Sequence, residues 1–179
     1  RLIRKYTVGW AMAPRCFNDL AFTPDGTVYL SAGPDGIYRV TPDATRVELF
    51  TEYPSFVNGI AASADGRLLV LADYRGAQVM DIASRTPGPI VVPPGETLAG
   101  IDGLYIRGQT LVAVQNGLRS RAARVIQAEL TPSLDRVTCL AILDRNRSEF
   151  DIPTTGVLVG NDFLYVASSQ LRRFNEDKT

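Results

Sequence analysis

A chain of 179 residues with 45% hydrophobic and 21% charged side chains has the make-up of one ordinary globular domain, or a large piece of one. Its 19 basic and 19 acidic residues cancel, leaving no net field to draw it to nucleic acid or an anionic membrane, and no apolar run approaches the roughly 18 residues of a membrane helix. Histidine is absent, so these residues hold no Ser-His-Asp triad, no Cys-His pair and no imidazole-ligated zinc; chemistry falls to carboxylates, amides, hydroxyls or a metal that prefers oxygen.

The chain opens on Arg1 rather than Met, and Leu2 to Val8 alternates like a strand already under way. Further chain upstream is expected, and any secretory signal would lie there. Cys16 and Cys139 do not make a disulfide framework; two unpaired thiols are expected, in a core or at a loop edge.

From Asn18 onward the sequence repeats. Asn18-Asp19-Leu20-Ala21-Phe22-Thr23-Pro24-Asp25-Gly26 aligns without a gap on Asn58-Gly59-Ile60-Ala61-Ala62-Ser63-Ala64-Asp65-Gly66. Looser copies begin at Asp102-Gly103-Leu104 and Thr155-Gly156-Val157, so the offsets are 40, 44 and 53 residues. That is the length of a propeller blade, about 40–50 residues. Within each copy a short apolar strand meets a Gly-containing turn, a second β-rich strand returns, and further strands follow, as in Gly36 to Val40, Arg46 to Phe50 and Gly76 to Ile82. The pattern predicts an all-β fold, a β-propeller of four-stranded antiparallel blades. A single domain over 1–179 is expected, with about four blades, near 17–53, 56–92, 100–144 and 153–175, and the amino-terminal blades missing. Trp10 is expected to anchor a connection between blades.

The first strand of every blade lines the central channel, so residues at one repeat position meet near the axis. Asn18, Asn58, Asp102 and Thr155 hold that position. Oxygen donors without nitrogen or sulfur are what a hard cation selects, so the spacing nominates a metal site at the channel mouth. The alternative is local: Asn and Asp begin strands because they make turns with their own backbone. Asp25 and Asp65 read as turn residues of this kind.

The stretches Phe17-Asn18-Asp19, Val57-Asn58-Gly59-Ile60, Ile101-Asp102-Gly103-Leu104 and Pro153-Thr154-Thr155-Gly156 occur in the order found in a known family. From about Phe17 to Phe174 the chain resembles the senescence marker protein/gluconolactonase/luciferin-regenerating-enzyme-like family of six-bladed propellers. The resemblance implies a divalent cation in the channel, Ca²⁺ first, with Mg²⁺, Zn²⁺ or Mn²⁺ as alternatives, and hydrolysis of lactones or related esters. By match of motif, Asn58 and Asp102 would be metal ligands, Asp102 would double as general base, and Asn18 would contact substrate or a metal-bound water. A Glu that the family draws from its first blade has no counterpart here. Relatives place an Asp after the second strand; Asp73 keeps it, whereas the first copy reads Ser31-Ala32-Gly33.

Other residues complete the expectation. Thr155, Asn116 and Tyr74 are candidate contacts to a small-molecule substrate, a lactone or sugar derivative. Asn116 reads first as a turn residue, and Tyr74 and Tyr105 first as packing. Arg119, Arg121 and Arg124 read as a solvated basic loop. A metal-dependent lactone hydrolase leads; a non-enzymatic scaffold of the kind NHL repeats make is the alternative, and a strictosidine-synthase-like condensation stands third.

Overall fold

The first hairpins of the first two blades form where the sequence provides an acid followed by a glycine. Gly26 and Gly66 take φ of +84° and +72°, a region that a side chain disfavours. The preceding acids close the same turns: Asp25 accepts the Thr23 hydroxyl at 2.6 Å and the Thr27 amide at 3.0 Å, and Asp65 accepts the Ser63 hydroxyl at 2.6 Å and the Arg67 amide at 3.1 Å. These donors hold both carboxyls below the usual aspartate range, with the hydroxyl the larger cause in each. The turn reading of Asp25 and Asp65 is correct.

The computed structural model describes residues 5–6, 16–116, 123–171 and 173. Trp10, Gly117, Arg119, Arg121 and Phe174 lie outside them, as does most of the strand expected over Leu2 to Val8. The first sheet runs β1 (Leu20–Phe22), β2 (Val28–Ser31), β3 (Ile37–Val40), β4 (Glu48–Thr51). The second runs β5 (Val57–Ala62), β6 (Leu68–Asp73), β7 (Gly76–Asp81), β8 (Pro87–Pro89), and the third β9 (Ile101–Arg107), β10 (Thr110–Gln115), β11 (Arg124–Leu130), β12 (Val137–Arg145). A two-stranded sheet follows, β13 (Gly156–Val159) with β14 (Asp162–Tyr165). Every neighbouring pair within a sheet is antiparallel and sequential. Among the described residues no helix is long and apolar enough to cross a membrane.

The sheets stack face to face, and the stacking explains the apolar runs. Leu69, Val70, Leu71 and Ala72 are consecutive and all buried, because one face of β6 packs toward the first sheet and the other toward the third. Leu111 to Val114 repeats this in β10, with Val112 and Val114 packing against Leu158, Phe163 and Tyr165 of the last sheet. The first strands come together: β1 packs on β5, β5 on β9, and β9 on β13. Sheets radiating from adjacent inner strands are the propeller arrangement that the repeats predict.

Glycine sets how closely the inner strands approach. A Cβ on Gly59 would stand 2.5 Å from the Asp102 carbonyl oxygen, and one on Gly103 would stand 2.9 Å from that of Thr154. The glycine of the repeat is therefore the joint between a blade and the next.

One expectation is corrected. Arg124 is not solvated: it is 5% exposed at the start of β11, where its Nε donates to Gln115 Oε1 at 2.7 Å. Gln115 in turn donates to the Thr97 and Ala99 carbonyls, so this buried pair pins the connection between the second and third blades. Cys16 and Cys139 are free, as expected, and both are exposed.

Candidate functional site

Two of the residues at the shared repeat position, Asn58 and Asp102, owe their placement to irregular pairing. On β5, Val57 pairs with Asp73 and Ile60 with Leu71, so Asn58 and Gly59 sit in a bulge. On β9, Ile101 pairs with Gln115 and Leu104 with Ala113, which puts a second irregularity at Asp102 and Gly103. Bulges re-aim side chains, and here both fall on the candidate ligands at the strand-beginning end of the channel. The contact of Gly59 with the Asp102 carbonyl brings the two bulges side by side.

Asn58 is partly exposed as a residue, yet its Oδ1 is buried and has no hydrogen-bond partner among the described residues. Asp102 is held from one side: Asn116 Nδ2 donates to its Oδ2 at 2.7 Å and to the Pro153 carbonyl at 2.7 Å. Burial pushes the Asp102 carboxyl above the usual aspartate range, and the Asn116 bond draws it part of the way back. Asn116 thus stands beside Asp102, where it supports the carboxylate.

Thr155 is exposed and bonded elsewhere. Its Oγ1 lies 2.6 Å from the Tyr105 hydroxyl oxygen, which also accepts the Gly156 amide at 2.8 Å. Tyr105 is therefore a polar tie between third and fourth blades as well as packing. Asn18 is exposed ahead of β1, its amide donating to the Ser31 carbonyl at 2.8 Å. Tyr74, 69% exposed, lies in the turn after β6. That turn stands at the same end of the blade as Phe56, because Val57 pairs with Asp73. Asp73 itself is buried and closes the turn, accepting the Arg75 and Gly76 amides at 2.7 and 3.1 Å and an ion pair from Arg75 at 3.0 Å.

Two residues that the sequence reading passed over belong to this end. Asp19 occupies the glycine slot of the first copy, and its Oδ2 accepts the Ile60 amide across the blade boundary at 3.3 Å. Burial raises its carboxyl above the usual range against the pull of the Leu20 and Ile60 amides, and the Asp102 charge pushes the same way. Ser31 is fully buried and donates to the Asn58 carbonyl at 2.6 Å. An aspartate in place of the repeat's glycine was the available signal for the first; nothing in the sequence marked the second.

The oxygen-only donor set suits a hard cation in kind. In number it is short: among the described residues no group of three or more His, Cys, Asp and Glu side chains could hold a metal.

No protein-family model and no curated protein matches the sequence. Solved structures do match in fold. The chain is similar to one in the crystal structure of a nidogen/laminin complex, at 15% identity and a TM-score of 0.68, over 86% of this chain and 57% of the other. It is similar to the crystal structure of the RRP9 WD40 repeats at 16% identity and a TM-score of 0.56, over 88% of this chain and 46% of the other. The chain thus spans about half the length of the structures it matches. Likeness at this identity speaks for fold alone, and with the radiating sheets it gives the chain a β-propeller fold.

Proposed function

We propose that the channel mouth binds a hard divalent cation, Ca²⁺ first, with a small oxygen-rich ligand beside it, and that it hydrolyses lactones or related esters. The observation that carries this reading is the buried, unpartnered Oδ1 of Asn58 on the strand next to the Asp102 carboxylate. A buried acceptor without a donor costs about 1–3 kcal/mol, which a cation or a ligand donor would offset. Asn58 and Asp102 would hold the cation, with water and ligand oxygens completing its shell. Membership in the gluconolactonase-like family belongs to the same reading.

A bound cation would supply a Lewis acid for the ester carbonyl. The residues themselves do the rest. Asp102, fixed through Oδ2 by Asn116 and raised in pKa by burial, takes a proton from an attacking water. Asn18 offers an amide group to orient the ligand, while the Asn116 amide nitrogen is committed to Asp102 and the Pro153 carbonyl. Phe56 and Tyr74, 48% and 69% exposed at the same end, offer faces to the apolar side of a sugar ring.

The test is turnover of a panel of sugar and aliphatic lactones, in calcium and in chelator. Asp102→Asn is expected to abolish turnover while retaining part of the calcium affinity; turnover equal to wild type in that variant contradicts the role of base. Exposed aromatics at one end also favour a second reading, a docking face for a protein. The nidogen/laminin relative comes from a protein complex, and a chain that binds no calcium and turns over no lactone would favour this scaffold role.

A further inference from the structure

We infer that Ser31 and Asp19 are positioning residues for Asn58, two groups of the first blade that fix the backbone leaving it, on both sides of Gly59, and so fix where its side-chain oxygen stands. The inference rests on the cation reading above.

Asn58 and Gly59 sit where β5 loses its regular pairing with β6, so the bulge needs ties from elsewhere. The first blade supplies them. Before Gly59, the Ser31 hydroxyl donates to the Asn58 carbonyl at 2.6 Å; after it, Asp19 Oδ2 accepts the Ile60 amide at 3.3 Å. The two ties are themselves linked, because the Asp19 amide donates to Ser31 Oγ at 3.0 Å and the Ser31 amide donates to the Asp19 carbonyl at 3.0 Å. Asp19 Oδ1 is locked in turn by the Leu20 amide at 2.8 Å. Ser31 is fully buried, so its hydroxyl has no water to turn to. A bulge clamped on both sides of its glycine holds the neighbouring amide oxygen ready for a ligand instead of letting it swing toward solvent.

The experiment is calcium titration by calorimetry on wild type, Ser31→Ala, Asp19→Ala, Asp19→Asn and Asn58→Ala, with thermal melts alongside. Met80→Ala, a buried truncation in the outer part of the second blade, serves as a stability control. Ser31→Ala and Asp19→Ala are expected to weaken calcium binding about tenfold, the scale of losses seen when a group supporting a ligand is removed. Asp19→Asn, which keeps an acceptor for the Ile60 amide, is expected to recover part of that loss. Adding Asn58→Ala to Ser31→Ala is expected to cost less affinity than Asn58→Ala costs alone, since an oxygen already displaced has less to lose. Met80→Ala is expected to melt earlier with calcium affinity intact. Wild-type affinity in Ser31→Ala and both Asp19 variants, or full additivity in the double variant, overturns the positioning role while leaving the site. A wild type that binds no calcium overturns both.

Discussion

Replacing Gly59 by alanine tests the blade joint. The backbone there is not in the left-handed region, so an alanine carries no conformational strain and the penalty is steric. Its Cβ would stand 2.5 Å from the Asp102 carbonyl oxygen and 2.7 Å from Leu104 Cβ, where real Cβ contacts stay above 3.0 Å. Both obstacles are backbone or the root of a side chain, so β5 and β9 must part by half an ångström or more along their contact. Forcing an extra carbon into such packing costs about 1–3 kcal/mol. For a domain of this size each kcal/mol lowers Tm by about 2–4 °C, so a fall of roughly 2–12 °C is expected. Gly88→Ala is the comparison: nothing stands within 4 Å of its added carbon, and the change is expected to be neutral or slightly stabilising. Thermal melts followed by circular dichroism, with urea titrations to confirm the order, make the measurement. Equal stability of the two variants would refute close inner-strand packing as the reason for the repeat's glycine.

Three further outcomes follow from the charges and the buried network. Burial raises the Asp102 carboxyl, so this group favours the folded state fully below the ordinary aspartate pKa and loses that contribution as pH rises through its own; Asp102→Asn is therefore expected to be more stable than wild type at neutral pH, with the gain vanishing below the ordinary aspartate range, read from urea midpoints. Gln115→Ala removes the acceptor for Arg124 Nε and the donor to the Thr97 and Ala99 carbonyls, and is expected to cost about 2–3 kcal/mol; a loss near zero would show that water replaces the amide freely. Burial, and after it the Asp73 charge, pushes Tyr53 up to about 12, while burial and then the bond to Asp144 push Tyr165 up to about 12. Ionisation of either opposes folding, so stability is expected to fall as pH rises from 10 toward 12, and Tyr53→Phe to flatten that slope in denaturation profiles.

The blades were legible because their information is local. An Asp-Gly pair closing on a Thr or Ser two residues earlier makes the same turn at Asp25 and Asp65 whatever surrounds it, and turns recurring every blade length leave few other folds. The alignment of Asn58 with Asp102 was legible for the same reason, and their neighbouring bulges follow from the glycine beside each. What the sequence hid depends on contacts between blades. Arg124 reads as one of three loop arginines, and its burial is made tolerable by a glutamine on the adjacent strand, with the Thr97 carbonyl and Glu96 beside it. Asn116 reads as a turn residue until it is seen reaching both Asp102 and the Pro153 carbonyl of the next blade. Ser31 carries no pattern at all, since its role consists of one bond across the first blade boundary.

The central claim is that Asn58 and Asp102 form one cation site, and calcium titration of the wild type against Asn58→Ala and Asp102→Ala tests it most directly. With two side-chain ligands, a dissociation constant of about 10⁻⁴–10⁻³ M is expected, with one calcium per chain and binding lost in both variants. A folded wild type that takes up no calcium, or variants that bind as well as wild type, would contradict the site.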